Sequence, residues 1–225
     1  MSLGLDTLEV YLKHFQIPFI EATECYYKKV NEKFIGTVVD YMIFVERRLK
    51  YESNVTYVHE TSKKILMTTC ETVLIQKDHI QTEFQNLLDK DKIEDLTRMY
   101  GLLSRIPYGL NEIRIIFEAH VIHQGEMTID AAAVTTDVDT KIYIDALLDV
   151  HKKFLDVVNN AFRGETGFNG SLDKACRVFV NRNSICKVGS CKGPEMLAKY
   201  CDGVLRKNTK EDEDILNNIV HNKTK

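Results

Sequence analysis

Apolar residues recur at helical spacing along almost the whole chain, and this recurrence constrains the fold more than any other feature. Leu96, Met99 and Leu103, for example, follow one another three or four positions apart, as residues do on one face of an α-helix. The strict alternation of apolar and polar residues that marks half-buried strands is almost absent. Only three prolines and 11 glycines interrupt the 225 residues. The pattern therefore predicts an all-α chain.

The first predicted helices follow from these apolar stripes and from the residues that flank them. One helix is expected to begin near Pro18 and to end before Gly36, and a second follows over residues 38–53. Either Asn54 or Thr56 is expected to cap the third helix, because both side chains can accept a hydrogen bond from a backbone amide.

The central helices carry equally clear stripes. Asp91 followed by Glu94 has the spacing of a capping box and predicts a helix that runs towards Pro107. The next stripe is expected to close at Gly125, and its members are Leu110, Ile113, Phe117 and Val121.

The longest predicted helix covers residues 137–162, with apolar side chains and His151 along one face. Thr166 is expected to begin a further helix through Asn183, although Gly167 and Gly170 should weaken its first turns by up to about 1 kcal/mol each relative to alanine. Residues 187–193 are predicted to form a loop.

Composition and charge exclude several classes of protein. The net charge of −3 comes from 30 basic and 33 acidic residues that are mixed along the chain, so a binder of the nucleic-acid backbone is not expected. The basic runs near Lys28, Arg47, Lys63 and Lys152 have acidic neighbours and are interpreted as solvated helix faces. No apolar run is long enough to cross a bilayer, and no secretory signal is present. A cytoplasmic and nuclear location is therefore expected, and residues 1–4 are interpreted as a cloning remnant.

Six cysteines occur in a chain without an export signal, which favours reduced thiols over disulfides. Cys176, Cys186, Cys191 and Cys201 cluster in the sequence, but their gaps lack the short pairing that structural zinc sites use. They are interpreted as small buried apolar residues rather than as zinc ligands.

Two other patterns could indicate a metal site or a phosphate-binding loop. Glu118, His120 and His123 lie close together, but the histidines lack the spacing of four that aims two imidazoles at one metal ion. Gly164, with Gly167 and Gly170, lacks the preceding strand of a phosphate-binding loop and is interpreted as a helix connection. No catalytic residue, metal ligand or cofactor site is therefore assigned, and His151 is interpreted as a packing residue.

Several segments carry a resemblance to a known family. The main ones are TEFQNLLDKDKIEDLTRMYGLLSRI at residues 82–106, SLDKACRVFVNRN at 171–183 and KGPEMLAKYCDGVLRK at 192–207, with LDVHKKF from Leu148 and shorter matches over residues 41–75. Together they resemble the cullins, the long helical scaffolds of multisubunit ubiquitin ligases. Residues 82–106 are most similar to the cullin of the SCF, F-box type.

The resemblance implies a fold and a division of the chain. It implies elongated, right-stacked helical bundles of an α-solenoid-like stalk, with residues 5–90 as the second cullin repeat and 91–207 as the third. Residues 208–225 would begin the following helical region. The pair Gly170-Ser171 and residues 187–195 depart from the family pattern, so loop contacts there are expected to differ.

The resemblance also implies a function without catalysis. The segment would be a rigid scaffold that holds the substrate adaptor apart from the RING-box protein and its ubiquitin-charged enzyme, although the regions that bind these F-box-type adaptor and RING-box partners are not recognised in it. The isolated segment is expected to be a monomer without cofactors. Two alternatives are a generic helical-repeat module with a concave peptide-binding face and an α-helical metalloenzyme.

Overall fold

The computed structural model describes residues 9–56, 58–133, 140–181, 195–196 and 198–200, together with Asp202. Every regular element in this part of the chain is helical, which confirms the all-α prediction. The α-helices are α1 (Ile17–Glu32), α2 (Val38–Ser53), α3 (Glu60–Leu74), α4 (Lys77–Gln81), α5 (Phe84–Asp89), α6 (Ile93–Leu103), α7 (Asn111–Ala133), α8 (Thr140–Ala161) and α9 (Thr166–Asn181).

The chain divides into two compact units, Met1–Asn111 and Glu112–Lys225. Unit 1 contains α1 to α6, and nearly all of α7 lies with α8 and α9 in unit 2. The boundary between sequence repeats at residues 90/91 stays a prediction, because a repeat of the sequence and a compact packing unit are different divisions of a chain.

The beginning of α1 is close to the predicted one. The helix is assigned from Ile17 with Pro18 as its second residue, but the described residues before it, 9–16, are already helical, so the proline lies within a longer helical run. A π-helical turn, Leu12–Gln16, leads directly into it. This turn is tied to α3, because the buried Ser62 hydroxyl donates to the Gln16 side chain and lies 3.1 Å from the Tyr11 hydroxyl.

Helix α2 begins with a capping box. The amide of Asp40 donates to the Thr37 hydroxyl at 3.1 Å, and the amide of Thr37 donates to the Asp40 carboxylate at 3.1 Å. The hydrogen bonds from Thr37 lower the pKa of Asp40, because they stabilise its charged form. Gly36 thus precedes α2, as expected, and Thr37 provides its cap.

Two predicted caps are wrong. Helix α3 is capped by His59, whose Nδ1 accepts from the amide of Thr61 at 3.4 Å, whereas Asn54 follows α2 and donates to the carbonyl of Lys50 at 2.9 Å. Asp91 adopts a positive φ of 50°, so it belongs to the tight turn before α6 and cannot form the predicted capping box. The N-cap position of α6 is occupied by Lys92, whose side chain makes no capping hydrogen bond.

Buried tyrosines join the helices of unit 1. The hydroxyl of Tyr41, on α2, donates to the carbonyl of Leu74, at the end of α3, at 2.7 Å. The hydroxyl of Tyr27, on α1, donates to the carboxylate of Glu52 on α2. Because a buried hydroxyl without a partner is costly, these bonds fix the positions of the helices as well as satisfying polar atoms.

Helix α7 does not end at Gly125 as predicted; it continues to Ala133. The reason is packing, since a Cβ atom built at Gly125 would lie 2.6 Å from two ring atoms of Phe179 on α9. Gly125 therefore admits an aromatic ring against the helix backbone and does not terminate the helix. Three members of the predicted stripe, Ile113, Phe117 and Val121, are fully buried, whereas the fourth, Leu110, precedes α7 and is half-buried.

The helix predicted over residues 137–162 is found as α8, and residues 137–139 lie outside the described part of the chain. The described residues give α8 22 residues and α7 23, and both helices border residues 134–139 outside the described part, so the expectation that this helix is the longest element stays a prediction. Thr166 begins α9 as predicted. Residues 182–183 and 187–193 lie outside the described residues, and the described residues of 195–202 are helical.

Replacing Gly125 by alanine is expected to lower the free energy of unfolding of unit 2 by about 1–3 kcal/mol, because the new methyl group overlaps the Phe179 ring. Gly170→Ala is the matched control, since a Cβ at this helical glycine meets nothing within 4 Å. That variant should gain up to about 1 kcal/mol from helix propensity. Denaturant titration followed by circular dichroism measures both, and equal effects would contradict the packing role of Gly125.

Candidate functional site: the packed framework and an exposed groove

A cluster of four phenylalanines holds unit 2 together. Phe117 on α7 meets three other rings edge to face, with ring centroids 5.9 Å from Phe154, 5.7 Å from Phe162 and 5.5 Å from Phe168. Phe162 and Phe168 stack at 4.0 Å. All four side chains are buried, and edge-to-face aromatic pairs are favourable beyond the area that they bury. The cluster links α7, α8, the connection that follows α8, and α9.

An ion pair lies beside this cluster. Arg114 Nη2 on α7 donates to Glu165 Oε1 at 2.8 Å, and Glu165 Oε2 accepts from the amide of Phe168 at 3.1 Å. A Cβ atom at Gly167 would lie 2.4 Å from Arg114 Nε. The glycine that was expected only to weaken α9 therefore makes room for the arginine, and Glu165 satisfies an amide in the first turn of α9.

Ion pairs also connect the helices of unit 1. Arg98 on α6 donates to Glu46 on α2 at 2.9 Å and to Asp95 at 2.6 Å, and Arg105 contacts Glu71 of α3 at 3.1 Å. These groups are partly exposed, and such pairs stabilise a protein by no more than about 1 kcal/mol each. They orient the helices, while the apolar core supplies most of the stability.

The histidines considered as metal ligands are not brought together as a site. His120 is buried with its ring edge-on to Phe154 at 5.5 Å, whereas His123, about one turn further along α7, is exposed. Over the described ranges, no group of three or more potential ligands could hold a metal ion. His151 is half-buried on α8, and burial lowers its pKa while the nearby Asp173 opposes that effect.

The described cysteines do not form a reactive centre. Cys70 and Cys176 are buried free thiols, and burial raises the pKa of each to about 12. Cys25 is an exposed free thiol. Cys186, Cys191 and Cys201 lie outside the described residues, so their interpretation stays a prediction.

The three spaced glycines, Gly164, Gly167 and Gly170, lie at and after the connection between α8 and α9. Gly164 has a φ of +66°, which suits glycine, and its amide bonds to the carbonyl of Val158 at 3.0 Å. Gly167 and Gly170 belong to α9 itself. The trio thus ends one helix and begins the next, which is the role that the sequence indicated.

An exposed groove lies at the end of α1 and along the loop that follows. It encloses about 480 Å³, and its lining residues are Tyr26, Lys29, Val30, Lys33, Phe34 and Ile35. The basic run here was predicted to be a solvated helix face, and no sequence pattern indicated a groove. Local sequence spacing gives little indication of such a groove, because its shape depends on the path of the loop between α1 and α2.

The chain matches the family described as "Cullin alpha solenoid domain" over residues 1–224. The chain belongs to the cullin family. It is 43% identical to Cullin-1 of Dictyostelium discoideum over 98% of this chain, 38% identical to Cullin-1 of Caenorhabditis elegans over 92%, and 37% identical to Cullin-1 of Schizosaccharomyces pombe over 95%. It spans 31%, 28% and 30%, respectively, of the lengths of these relatives. The resemblance to the cullins seen in the sequence is confirmed, and the three relatives at 37–43% identity are Cullin-1 proteins.

The α-solenoid character of the cullin family agrees with the helices of this chain. An α-solenoid is built of stacked helices, each of which buries its apolar stripe against its neighbours. None of the helices in the described ranges is long and apolar enough to cross a membrane.

Proposed function

We propose that this cullin chain is a scaffold segment of an SCF-type cullin-RING ubiquitin ligase. In this role it spaces the substrate adaptor from the RING-box protein and the ubiquitin-charged enzyme, so that substrate proteins are marked for degradation. The observation that carries the proposal is the match to the cullin α-solenoid domain over residues 1–224, together with 37–43% identity to three Cullin-1 proteins.

The packing of each unit supports a mechanical role. Aromatic clusters, buried tyrosine hydrogen bonds and inter-helix ion pairs fix the helices within a unit, as the bonds of Tyr41 and Arg114 illustrate. A stiff segment keeps two reactants within reach of each other, whereas a flexible connector spreads them over a larger volume. Rigidity is therefore the property that we assign to this segment.

The proposal includes the absence of catalysis by this segment. A cysteine that accepts ubiquitin must form a thiolate, and burial disfavours the thiolates of Cys70 and Cys176. The proposed partners of the whole protein are an F-box-type adaptor and a RING-box protein, and its proposed location is the cytoplasm and nucleus.

The purified chain is expected to form no thioester with ubiquitin and not to accelerate ubiquitin transfer from a charged conjugating enzyme. Mass spectrometry and non-reducing electrophoresis after incubation with the charged enzyme make the measurement. Cys25→Ser is the informative variant, because Cys25 is an exposed free thiol. A reducible ubiquitin adduct on any cysteine that depends on the charged enzyme would contradict the scaffold assignment.

A chimera tests the proposed role directly. The matching segment of Dictyostelium discoideum Cullin-1, which is 43% identical, is replaced by this chain. We expect the chimera to bind the adaptor and the RING-box protein and to support ubiquitination of an adaptor-bound substrate. A folded chimera that binds both partners and supports no ubiquitination would instead favour a separate helical binding module.

A further inference from the structure

We propose that the groove at the end of α1 is a docking site for an acidic segment of another protein that carries one apolar anchor residue. The groove lies wholly within unit 1 and is lined by residues of α1 and of the loop before α2. It is an open groove of about 480 Å³, so a partner would lie along the surface rather than inside an enclosed cavity. This inference does not depend on the scaffold role.

The apolar part of the groove is unusually accessible to solvent. Ile35 is 96% exposed and Tyr26 is 51% exposed, although both are large apolar side chains. Both line the same groove, with Val30 and Phe34 half-buried between them. Scattered apolar side chains are normal on a surface, but a set that lines one concavity is typical of an interaction site. An apolar anchor residue of a partner would cover this set.

The floor of the groove is held in place before any partner binds. The Phe34 ring packs edge to face against the buried Tyr41 at 5.1 Å and contacts Phe44 at 5.5 Å. A Cβ atom at Gly36 would lie 3.0 Å from the Phe34 ring, so the glycine lets the loop fold closely over it. A site that is already ordered loses less conformational entropy on binding.

The charges that line the groove are both positive. Lys29 and Lys33 are exposed and lie four residues apart, on the same side of the helix end. Their neighbour Lys28 is paired with Glu24 at 2.5 Å, whereas Lys29 and Lys33 take part in none of the ion pairs between described residues. Two lysine ammonium groups beside an apolar surface complement carboxylates that flank an apolar side chain.

An acidic protein segment fits this charge pattern better than a nucleic acid does. Binding to a phosphate backbone relies on many basic contacts along its length, and only two lysines line this groove. A carboxylate pair needs only two such contacts. The partner that we infer is therefore a peptide segment with Asp or Glu on either side of a Leu, Ile or Phe.

Fluorescein-labelled short peptides test this inference. The first set carries a single Leu, Ile or Phe flanked by Asp or Glu at varied spacings, and the matched set replaces every Asp by Asn and every Glu by Gln. We expect members of the acidic set to bind the 225-residue chain in fluorescence polarisation and to bind at least about tenfold more tightly than their neutral counterparts. Equal binding by the two sets, or binding by neither, would overturn the proposal.

Variants locate the binding on the protein. The double change Lys29→Glu with Lys33→Glu should weaken binding by at least about tenfold, and Ile35→Ala should weaken it independently. Lys50→Glu with Lys64→Glu is the matched control, because both lysines are exposed in unit 1 and neither lines the groove. Circular dichroism confirms that each variant is folded. Equal loss in the two double variants would overturn the assignment to the groove.

A second copy of the chain is the other occupant that the groove could have. Sedimentation analysis distinguishes it from an acidic partner. We expect the chain to remain monomeric at the concentrations used and Ile35→Asp to leave its sedimentation unchanged. Self-association that Ile35→Asp abolishes would assign the groove to a second copy and overturn the proposal of an acidic partner.

Discussion

Phe117→Ala is expected to lower the free energy of unfolding of unit 2 by about 3–5 kcal/mol. The side chain is fully buried and meets Phe154, Phe162 and Phe168 edge to face, so its removal leaves a cavity among three rings that belong to different elements. Rings held by helix backbones cannot collapse fully into that space. Denaturant titration with circular dichroism, combined with hydrogen exchange of the α7 amides, measures the loss.

Ile115→Ala is the matched control for this prediction. Ile115 lies two residues away on the same helix and is 70% exposed, so its truncation should change the free energy of unfolding by no more than about 0.5 kcal/mol. A loss for Phe117→Ala below about 1 kcal/mol, or a similar loss for the two variants, would mean that the aromatic cluster does not hold unit 2 together.

Leu148→Pro is expected to lower the free energy of unfolding of unit 2 by about 3 kcal/mol or more. Leu148 is a half-buried residue in the interior of α8. Proline removes the amide proton that a helix donates to the carbonyl four residues earlier, and its ring clashes with the preceding turn. The substitution also removes an apolar contact. Hydrogen exchange across residues 140–161 should show faster exchange around the substituted position.

The control for this variant is Lys152→Ala, an exposed change on the same helix that should cost well under 1 kcal/mol. Unchanged stability and unchanged hydrogen exchange in Leu148→Pro would contradict the description of α8 as one continuous helix through this position.

The apolar stripes were predictable because burial requires them. Ile113, Phe117 and Val121 follow helical spacing in the sequence and are fully buried in the structure. The start of α9 at Thr166 was predictable for a related reason, since a polar residue begins a new apolar stripe there. Local pattern and tertiary packing agree at these places.

The helix ends were less predictable because several residues compete for each of them. Asn54 and Thr56 are suitable caps by residue type, yet His59 caps α3 and Asn54 bonds back to α2. Asp91 has the spacing of a capping box but adopts a positive φ. The residue type determines which hydrogen bonds a side chain is able to form, whereas the path of the loop determines which of these bonds does form.

Gly125 shows a second limit of sequence reasoning. A glycine after an apolar stripe indicates a helix end when only the helix itself is considered. The ring of Phe179, 54 positions later in the sequence, occupies the space that a side chain would need, and this contact cannot be read from local spacing. The groove was missed for the same reason, because Ile35 joins Tyr26 and Lys29 only through the fold of the loop after α1.

The rate of substrate ubiquitination by the Cullin-1 chimera, with and without Leu148→Pro, tests the scaffold proposal most directly. Adaptor binding and RING-box binding are measured on the same samples, and Lys152→Ala is the control. We predict that both bindings persist in the proline variant while the ubiquitination rate falls at least about tenfold, because misplaced reactants react slowly, and that Lys152→Ala changes nothing. Full activity in a proline variant whose α8 is demonstrably kinked or melted would contradict the claim that this segment acts through its stiffness.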